Sequence, residues 1–487
     1  MKSITKIGCG IAILLNLCTH SVNAQNEDDA LRYALTRFGG TARSTAMGGA
    51  FGALGSDFSS MTINPAGVGL YRKSEVTFSP ALGSTNTRSE YFGQESTDGR
   101  FQFSLSNLGM VIAGTKESKS NKWKGGGLAI GYNRLANFNN RMIMQGNNMN
   151  SSLADVYKYE AQGLDPANLP AFGTNLAWNT YLIDTLNGSY ISNMPSNINK
   201  TQIKNIERRG GMGETVVSMG GNYDNKLFLG GTLGFQKIRF EEESSYSENP
   251  VDTIVDIRGF TVNNFLNTQG NGINIKFGAI YMPAPFVRIG AAIHSPTVFS
   301  MQDSYSTSMS TSFTDGSTFN AGTDANGGAD IGNFDYRYIS PFRAVGSLAF
   351  IIGKYGLISA DYEYLDYREA RFRAIGYSFI EQNNIIRDKY RAVGNLRVGS
   401  EIRLNPFSIR FGYALYASPF KDQSLMSDQQ FFTGGFGYRT ESFFADISYV
   451  RNVFNERHFL YNSSFNPTPS QNNITSGNIV GTIGFRF

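Results

Sequence analysis

Apolar and polar residues trade places one by one along much of this chain. In Phe101-Gln102-Phe103-Ser104-Leu105-Ser106 the alternation is strict, and it returns in Phe407-Ser408-Ile409-Arg410-Phe411-Gly412-Tyr413. Side chains that point to opposite faces in turn are the mark of a β-strand. Around residues 396–404 one face carries Leu396, Val398, Ile402 and Leu404, while the other carries Asn395, Arg397, Glu401 and Arg403. On the inner face of a β-sandwich those charges would be buried at high cost. Lining a wet lumen, they cost little. The pattern predicts an all-β chain, closed into a transmembrane antiparallel β-barrel with its apolar face outward.

About fourteen such strands can be counted, an even number as bacterial barrels require, centred near residues 79, 107, 134, 216, 234, 276, 293, 344, 364, 396, 412, 434, 449 and 482. Short turns, such as Asn222-Tyr223-Asp224-Asn225, Gly353-Lys354-Tyr355-Gly356 and Asn405-Pro406, alternate with long connections near 85–100, 147–208, 247–269, 305–332, 374–386, 418–428 and 462–476. With both ends of the chain periplasmic, every short turn falls on the periplasmic side and every long loop outside. The last strand places Ile479, Ile483, Phe485 and Phe487 on one face. Its terminal aromatic resembles the signature read by the barrel assembly machinery, an expected partner. Closure leaves no unpaired edge in lipid.

The start of the chain agrees with that destination. Lys2 and Lys6, the apolar run Ile7 to Leu17 and Val22-Asn23-Ala24 read as an export signal over residues 1–24, cleaved before Gln25. The apolar run, about eleven residues, is too short for a membrane helix of roughly twenty. Both cysteines, Cys9 and Cys18, fall within the signal, so neither a disulfide framework nor a thiolate site is expected. A net charge of +4 on 487 residues gives no electrostatic case for nucleic acid. The 54 glycines and 13% aromatic residues suit a barrel whose polar and apolar faces cancel in the mean.

Residues 25–73 precede the first strand. Asp29 is a candidate cap for a short helix with Leu31, Ala34, Leu35 and Phe38 at helical spacing, ended by Gly39-Gly40. A second helix is expected to start at Ser56 or Asp57 and to stop before Pro65. Between and beyond these lies the Gly-rich segment Met47 to Tyr71, whose glycines permit close backbone approach. Met47-Gly48-Gly49-Ala50, Ser56-Asp57 and Asn64-Pro65-Ala66-Gly67 together resemble the N-terminal plug of the FadL/OmpP1/TodX-type outer-membrane transporters. The match departs from the family at Val68, where leucine is common, and in the single acid at Asp57. The motifs are specific only over residues 43–72; the rest of the likeness is architectural. It implies a plug or hatch over residues 25–73 inside a barrel of residues 74–487, with Gly48, Gly49, Asp57, Asn64, Pro65, Ala66 and Gly67 as gating elements.

The same resemblance implies passive uptake of a hydrophobic or amphipathic small molecule, long-chain fatty acids first, with lateral release into outer-membrane lipid. Family members have helical outer loops that form an apolar capture groove. Here the loop 147–208 offers Leu169, Phe172, Leu176, Trp178 and Leu182, and Phe260, Val262 and Phe265 could form the opposite wall; the alternative is that these residues only cap the barrel. Phe38 and Phe51 are further candidate ligand contacts. His294, Arg343 and Arg397 face the expected lumen, where an arginine can hold a carboxylate bidentately.

The same residues bear on other functional classes. Some FadL-like proteins are labelled haemin receptors, and haem iron can take His or Tyr, but no His/Tyr motif singles out haem. His294 and Ser295 are adjacent, so on a strand they point to opposite faces and cannot form a nucleophile–base couple. The expectation is a monomeric transporter, not an enzyme, with no cofactor and no metal. A FadL-like carrier component of a protein secretion system remains an alternative.

Overall fold

The computed structural model describes residues 26–115, 122–251, 255–322 and 331–487. The export signal and the Gln25 cleavage point lie outside the described residues. Fourteen antiparallel strands close into a barrel. They are β1 (Glu75–Tyr91), β2 (Gln94–Thr115), β3 (Trp123–Asn137, resuming as Asn140–Asn148), β4 (Lys200–Tyr223), β5 (Leu227–Pro250) and β6 (Ile257–Ala284). Next come β7 (Val287–His294, resuming as Val298–Phe313), β8 (Gly332–Ile339, resuming as Arg343–Ile352) and β9 (Gly356–Asp366). The circuit ends with β10 (Ala392–Leu404), β11 (Phe407–Tyr416), β12 (Gln429–Arg439), β13 (Phe443–His458) and β14 (Ser470–Arg486). Closure is made by β1 on β14, in register from Glu75↔Arg486 to Glu90↔Gln471. Each of the fourteen expected strand centres falls in its own strand.

Burial is inverted relative to a water-soluble protein. On β10, Leu396, Ile402 and Leu404 are exposed while Asn395, Arg397 and Glu401 are buried. Phe78, Phe277, Phe411, Phe436, Ile447, Ile483 and Phe485 extend the exposed apolar face around the barrel. A surface of that kind needs lipid against it, as the outer face of a membrane barrel has.

Several connections expected to be long loops are strand instead. Residues 85–100 form a hairpin with its turn at Phe92-Gly93, the β5 ladder reaches Pro250, and β6 starts at Ile257. Residues 305–332 hold the end of β7 and a short strand, Thr318–Gly322. These stretches are rich in Ser, Thr, Asn and Glu on both faces, so the alternation that marks a strand in lipid disappears. The ladder continues into water without it. The loop 149–199 does carry helices, α3 (Leu153–Ala161, capped by Ser152) and α4 (Thr174–Asn179), and α5 (Ile380–Lys389) follows β9.

The N-terminal residues fold into α1 (Glu27–Ala34), α2 (Ala42–Ala46) and two 3-10 turns, Phe58–Thr62 and Pro65–Leu70. Asn26, not Asp29, caps α1; Asp29 sits three residues in and returns the bond to the Asn26 N–H, completing a capping box. The helix ends at Ala34, ahead of the glycine pair. Asp57 caps the first 3-10 turn as expected, accepting from the Ser59 N–H at 3.0 Å.

Candidate functional site

Residues 41–70 pack against inward-facing residues of the barrel wall. Asn64 is the densest junction. Its Nδ2 donates to the Gly52 carbonyl at 2.6 Å and to Ala279 O of β6 at 3.1 Å, while its Oδ1 accepts from the Ala66 N–H at 3.1 Å. Pro65 follows at the first position of a 3-10 turn, where its missing N–H costs nothing. The wall meets it with Gly230 and Gly278, where any side chain would strike Pro65 or Asn64. Gly48 and Gly49 adopt φ of +61° and +74°, open to glycine at no steric cost. They let Met47 and Gly48 press onto Gly399 and Gly412 of β10 and β11. Asp57 accepts from Thr41 Oγ1 at 2.8 Å, and Gly67 lies against Ser60 and Gly55. These residues hold the segment's own fold as much as its docking.

Charged contacts complete the docking. Arg43 Nε lies 2.9 Å from Glu401 Oε2, the Gly52 N–H donates to Asp361 Oδ2 at 3.0 Å, and Arg288 donates to Leu54 O at 2.7 Å. His294 Nε2 is 2.9 Å from Ile63 O, so this histidine is engaged by the N-terminal segment. Phe51, expected at the ligand, is fully buried in a cluster with Met47, Leu54, Ile63 and Val345 and stacks under Arg43 at 5.3 Å; it lines neither of the cavities described below.

The barrel wall is interrupted between β2 and β3. The β2–β3 ladder runs from Thr115↔Gly125 to Asn107↔Asn133 and stops. Beyond it, residues 94–105 of β2 pair with β1 alone, and β3 breaks at Phe138-Asn139 before resuming on β4. Side chains take over the freed backbone groups: Arg134 donates to Ala136 O and Gly210 O, and Asn139 Nδ2 to Gly210 O at 2.9 Å. Asn107 closes the end of the ladder by donating to Tyr132 O and to Asn133 Oδ1.

A cavity of about 320 Å³ lies inside this interruption. Leu35, Phe38, Leu135, Phe138, Phe240 and Phe431 form its apolar lining. Phe38 also lines a second recess of about 70 Å³, together with Arg37, His294, Arg343 and Arg397. Arg343 Nη2 donates to Ala34 O at 2.5 Å, and its Nη1 lies 3.5 Å from Glu363 Oε1. Arg397 lies 3.5 Å from both Asp361 and Glu363, and its Nε and Nη2 have no hydrogen-bond partner. Four guanidiniums, Arg37, Arg134, Arg343 and Arg397, thus line the recess with Glu363, and Asp361 beside Arg397 already receives the Gly52 N–H. The recess carries surplus positive charge next to an apolar pocket.

The outer-loop candidates lie elsewhere. Leu176 and Phe260 are buried in one closed cluster with Met142, Tyr157, Tyr246 and Met309. Trp178 packs edge-on to Tyr190 at 5.8 Å and Phe172 to Tyr305 at 4.8 Å. Phe265, five residues from Phe260 and so on the opposite face of β6, is exposed beside Arg141 and Glu207. None of these residues lines the two cavities. Of the ligand candidates, Phe38, His294, Arg343 and Arg397 are brought together. Leu35, Leu135, Phe138, Phe240 and Arg37 were not anticipated; the only sequence signal for them is the Asn137-Phe138-Asn139-Asn140 run that breaks β3.

No family model matches the chain, and no curated protein does. Among solved structures, the Pseudomonas putida toluene transporter TodX aligns with a TM-score of 0.55 at 11% identity, over 92% of this chain and 99% of that one. A FadL homologue of Pseudomonas aeruginosa aligns with a TM-score of 0.57 at 12% identity, over 93% and 98%. Identities this low speak for architecture alone: the chain has the fold of the FadL-type outer-membrane transporters, a closed barrel of fourteen strands.

Proposed function

We propose that this protein carries hydrophobic molecules with an anionic head group, long-chain fatty acids first, passively across the outer membrane. The carrying observation is that the apolar cavity and the cationic recess adjoin at Phe38, which lines both. An alkyl chain in the first gains roughly 0.8 kcal/mol per CH₂ removed from water. A carboxylate in the second meets Arg37, Arg343 and the Nε of Arg397, which makes no hydrogen bond, and guanidinium groups bind carboxylates bidentately.

In this reading residues 26–73 are a plug, and Asn64, Asp361 and the Arg43–Glu401 pair hold it shut. Release is sideways through the interruption between β2 and β3, since an apolar cargo is more stable in lipid than in periplasmic water. The chain works as a monomer with its short turns and both ends in the periplasm, and Phe487 serves its insertion. TodX, a toluene transporter by its description, supports a hydrophobic cargo; the arginine recess favours an acid over a hydrocarbon. The engagement of His294 by Ile63 weighs against haem ligation there.

Uptake of radiolabelled oleate by a strain lacking its own fatty-acid transporter tests the proposal. Expression of this protein should restore uptake without an energy source. Restored uptake of toluene but not of oleate would leave the barrel and remove the acid.

A further inference from the structure

On the outer wall of the barrel, above the apolar face of β8, three arginines share one surface. Arg337 of β8 stands directly opposite Arg373 of the short strand Arg371–Arg373, and Arg371 takes the diagonal place, opposite Ile339. All three are exposed, while Tyr338 and Phe372 between them are buried, so the arginines lie on the same face of the strand pair. Cβ atoms of directly opposite residues are about 4.5–5.5 Å apart, and like charges placed so are destabilising. Among the described residues no carboxylate lies within ion-pair distance of the three. The neighbouring Arg368 takes Asp366, and Arg371 Nε reaches only the Glu369 carbonyl at 3.4 Å. Packing on the inner side keeps the strands together. Asn383 of α5 accepts from the Phe372 N–H at 2.9 Å and donates to the Phe372 carbonyl at 3.0 Å. The Phe372 ring lies 5.6 Å from that of Tyr338, whose hydroxyl donates to Ala30 O at 2.8 Å.

The height of this patch follows from β8 itself, whose exposed apolar residues run from Phe342 to Ile352. That stretch is about 33 Å of strand, which the usual tilt of about 40° lowers to about 25 Å, the apolar height of a membrane barrel. Tyr364 of β9, opposite Ala344, is exposed near its upper edge, as in the aromatic girdles that flank such a band. Arg337 lies beyond Phe342, on the side away from Ile352, and so at head-group level. We infer that Arg337, Arg371 and Arg373 bind the phosphorylated saccharide head group of an outer-leaflet glycolipid. Guanidinium forks take phosphate oxygens bidentately, and a phosphate between Arg337 and Arg373 relieves their repulsion. The assignment to the outer leaflet rests on the reading that the long loops face outward; the site is separate from the cargo recess.

The full-length protein in phosphatidylcholine nanodiscs is titrated with lipid A carrying both phosphates, and bound lipid is counted by native mass spectrometry. Saturable retention is expected. It should weaken at least about tenfold for dephosphorylated lipid A and in the Arg337→Gln/Arg373→Gln variant, which loses charge-assisted bonds. Arg88→Gln, in an exposed pair with Glu95, should retain lipid A as the wild type does. Folding is checked by the heat-dependent shift of the barrel in electrophoresis; should the double variant not fold, Arg371→Gln makes the same test. Arg373→Gln alone should raise the midpoint of heat unfolding without lipid A and lose the further rise that lipid A gives the wild type. Equal retention of phosphatidylglycerol and lipid A, or undiminished binding in the arginine variants, overturns the inference and leaves the uptake reading standing. Ser378→Cys, exposed in the same connection, should react with a membrane-impermeant maleimide on intact cells. Its silence there, with reaction in lysed cells, would place the arginines in the periplasm and overturn the outer-leaflet assignment together with the outward placing of the loops.

Discussion

Arg43 and Glu401 form a buried ion pair, Nε to Oε2 at 2.9 Å, that joins the N-terminal segment to the inner face of β10. Glu401 also accepts from Arg403 and Arg410, so one carboxylate engages three guanidiniums, of which Asp446 shares Arg410. Breaking a buried pair from one side costs about 3–5 kcal/mol because the other charge is left unpaired. Glu401→Gln is therefore expected to loosen the segment more than Arg43→Gln does. Both should raise ion conductance in planar bilayers, Glu401→Gln the more. Wild-type conductance in the two variants would mean that the segment does not close the lumen.

The wall itself offers a test of the same segment that leaves charge untouched. Gly278 gives Asn64 and Pro65 the room they occupy. Gly278→Val places a side chain where those atoms sit, and overpacking of this kind costs typically about 1–3 kcal/mol. The expected result is faster proteolysis between residues 41 and 70 with the barrel still folded by its electrophoretic shift. Unchanged proteolysis would show that the junction yields without undocking.

Selectivity should follow Arg397. Arg397→Met keeps the volume and removes the fork, so binding of laurate is expected to weaken by roughly tenfold, the worth of one hydrogen bond to a charged group. Dodecanol, with the same tail, should bind as before. Titration calorimetry of both ligands on the purified protein reads the difference. Equal losses for acid and alcohol would place the head group elsewhere.

Ala136 is buried on the lining of the apolar cavity at the interrupted wall. Ala136→Trp fills that space while the β3–β4 ladder around it remains. Uptake is expected to fall several-fold with detergent-extracted protein still folded. Undiminished uptake would route the cargo around this cavity.

His458 lies at the outer end of β13, above the apolar belt, where Arg451, Asn455 and Arg457 are already exposed. Burial first, and then Lys204 and Arg208, depress its pKa from 6.5 to about 3. The folded protein thus holds it neutral where the unfolded chain protonates. Its contribution to stability is complete above pH about 6.5 and is lost progressively as the pH falls toward 3. The midpoint of heat unfolding should drop from pH 7 to pH 4, and His458→Gln should flatten part of that slope. An unchanged slope in the variant would assign acid sensitivity to other groups.

Strand β10 shows what local pattern can decide. Leu396, Ile402 and Leu404 against Asn395, Arg397 and Glu401 already state which face meets lipid, because a pleated strand alternates wherever it lies. The same logic located all fourteen strands, while the cap at Asp57 was legible from helix-start chemistry and the motif at Asn64 from its resemblance to a family. It could not follow the strands above the membrane, as at residues 85–100, because in water neither face needs to be apolar. Phe38 and Phe51 read alike in sequence, yet one lines a cavity and the other is sealed under Arg43. The halt of the β2–β3 ladder at Asn107 and Asn133, and the meeting of Arg37, Arg343 and Arg397 from three separate elements, were decided by closure of the barrel around the N-terminal segment. Periodicity is a property of each strand alone; register, and the residues that face one another across a lumen, exist only once the strands have met.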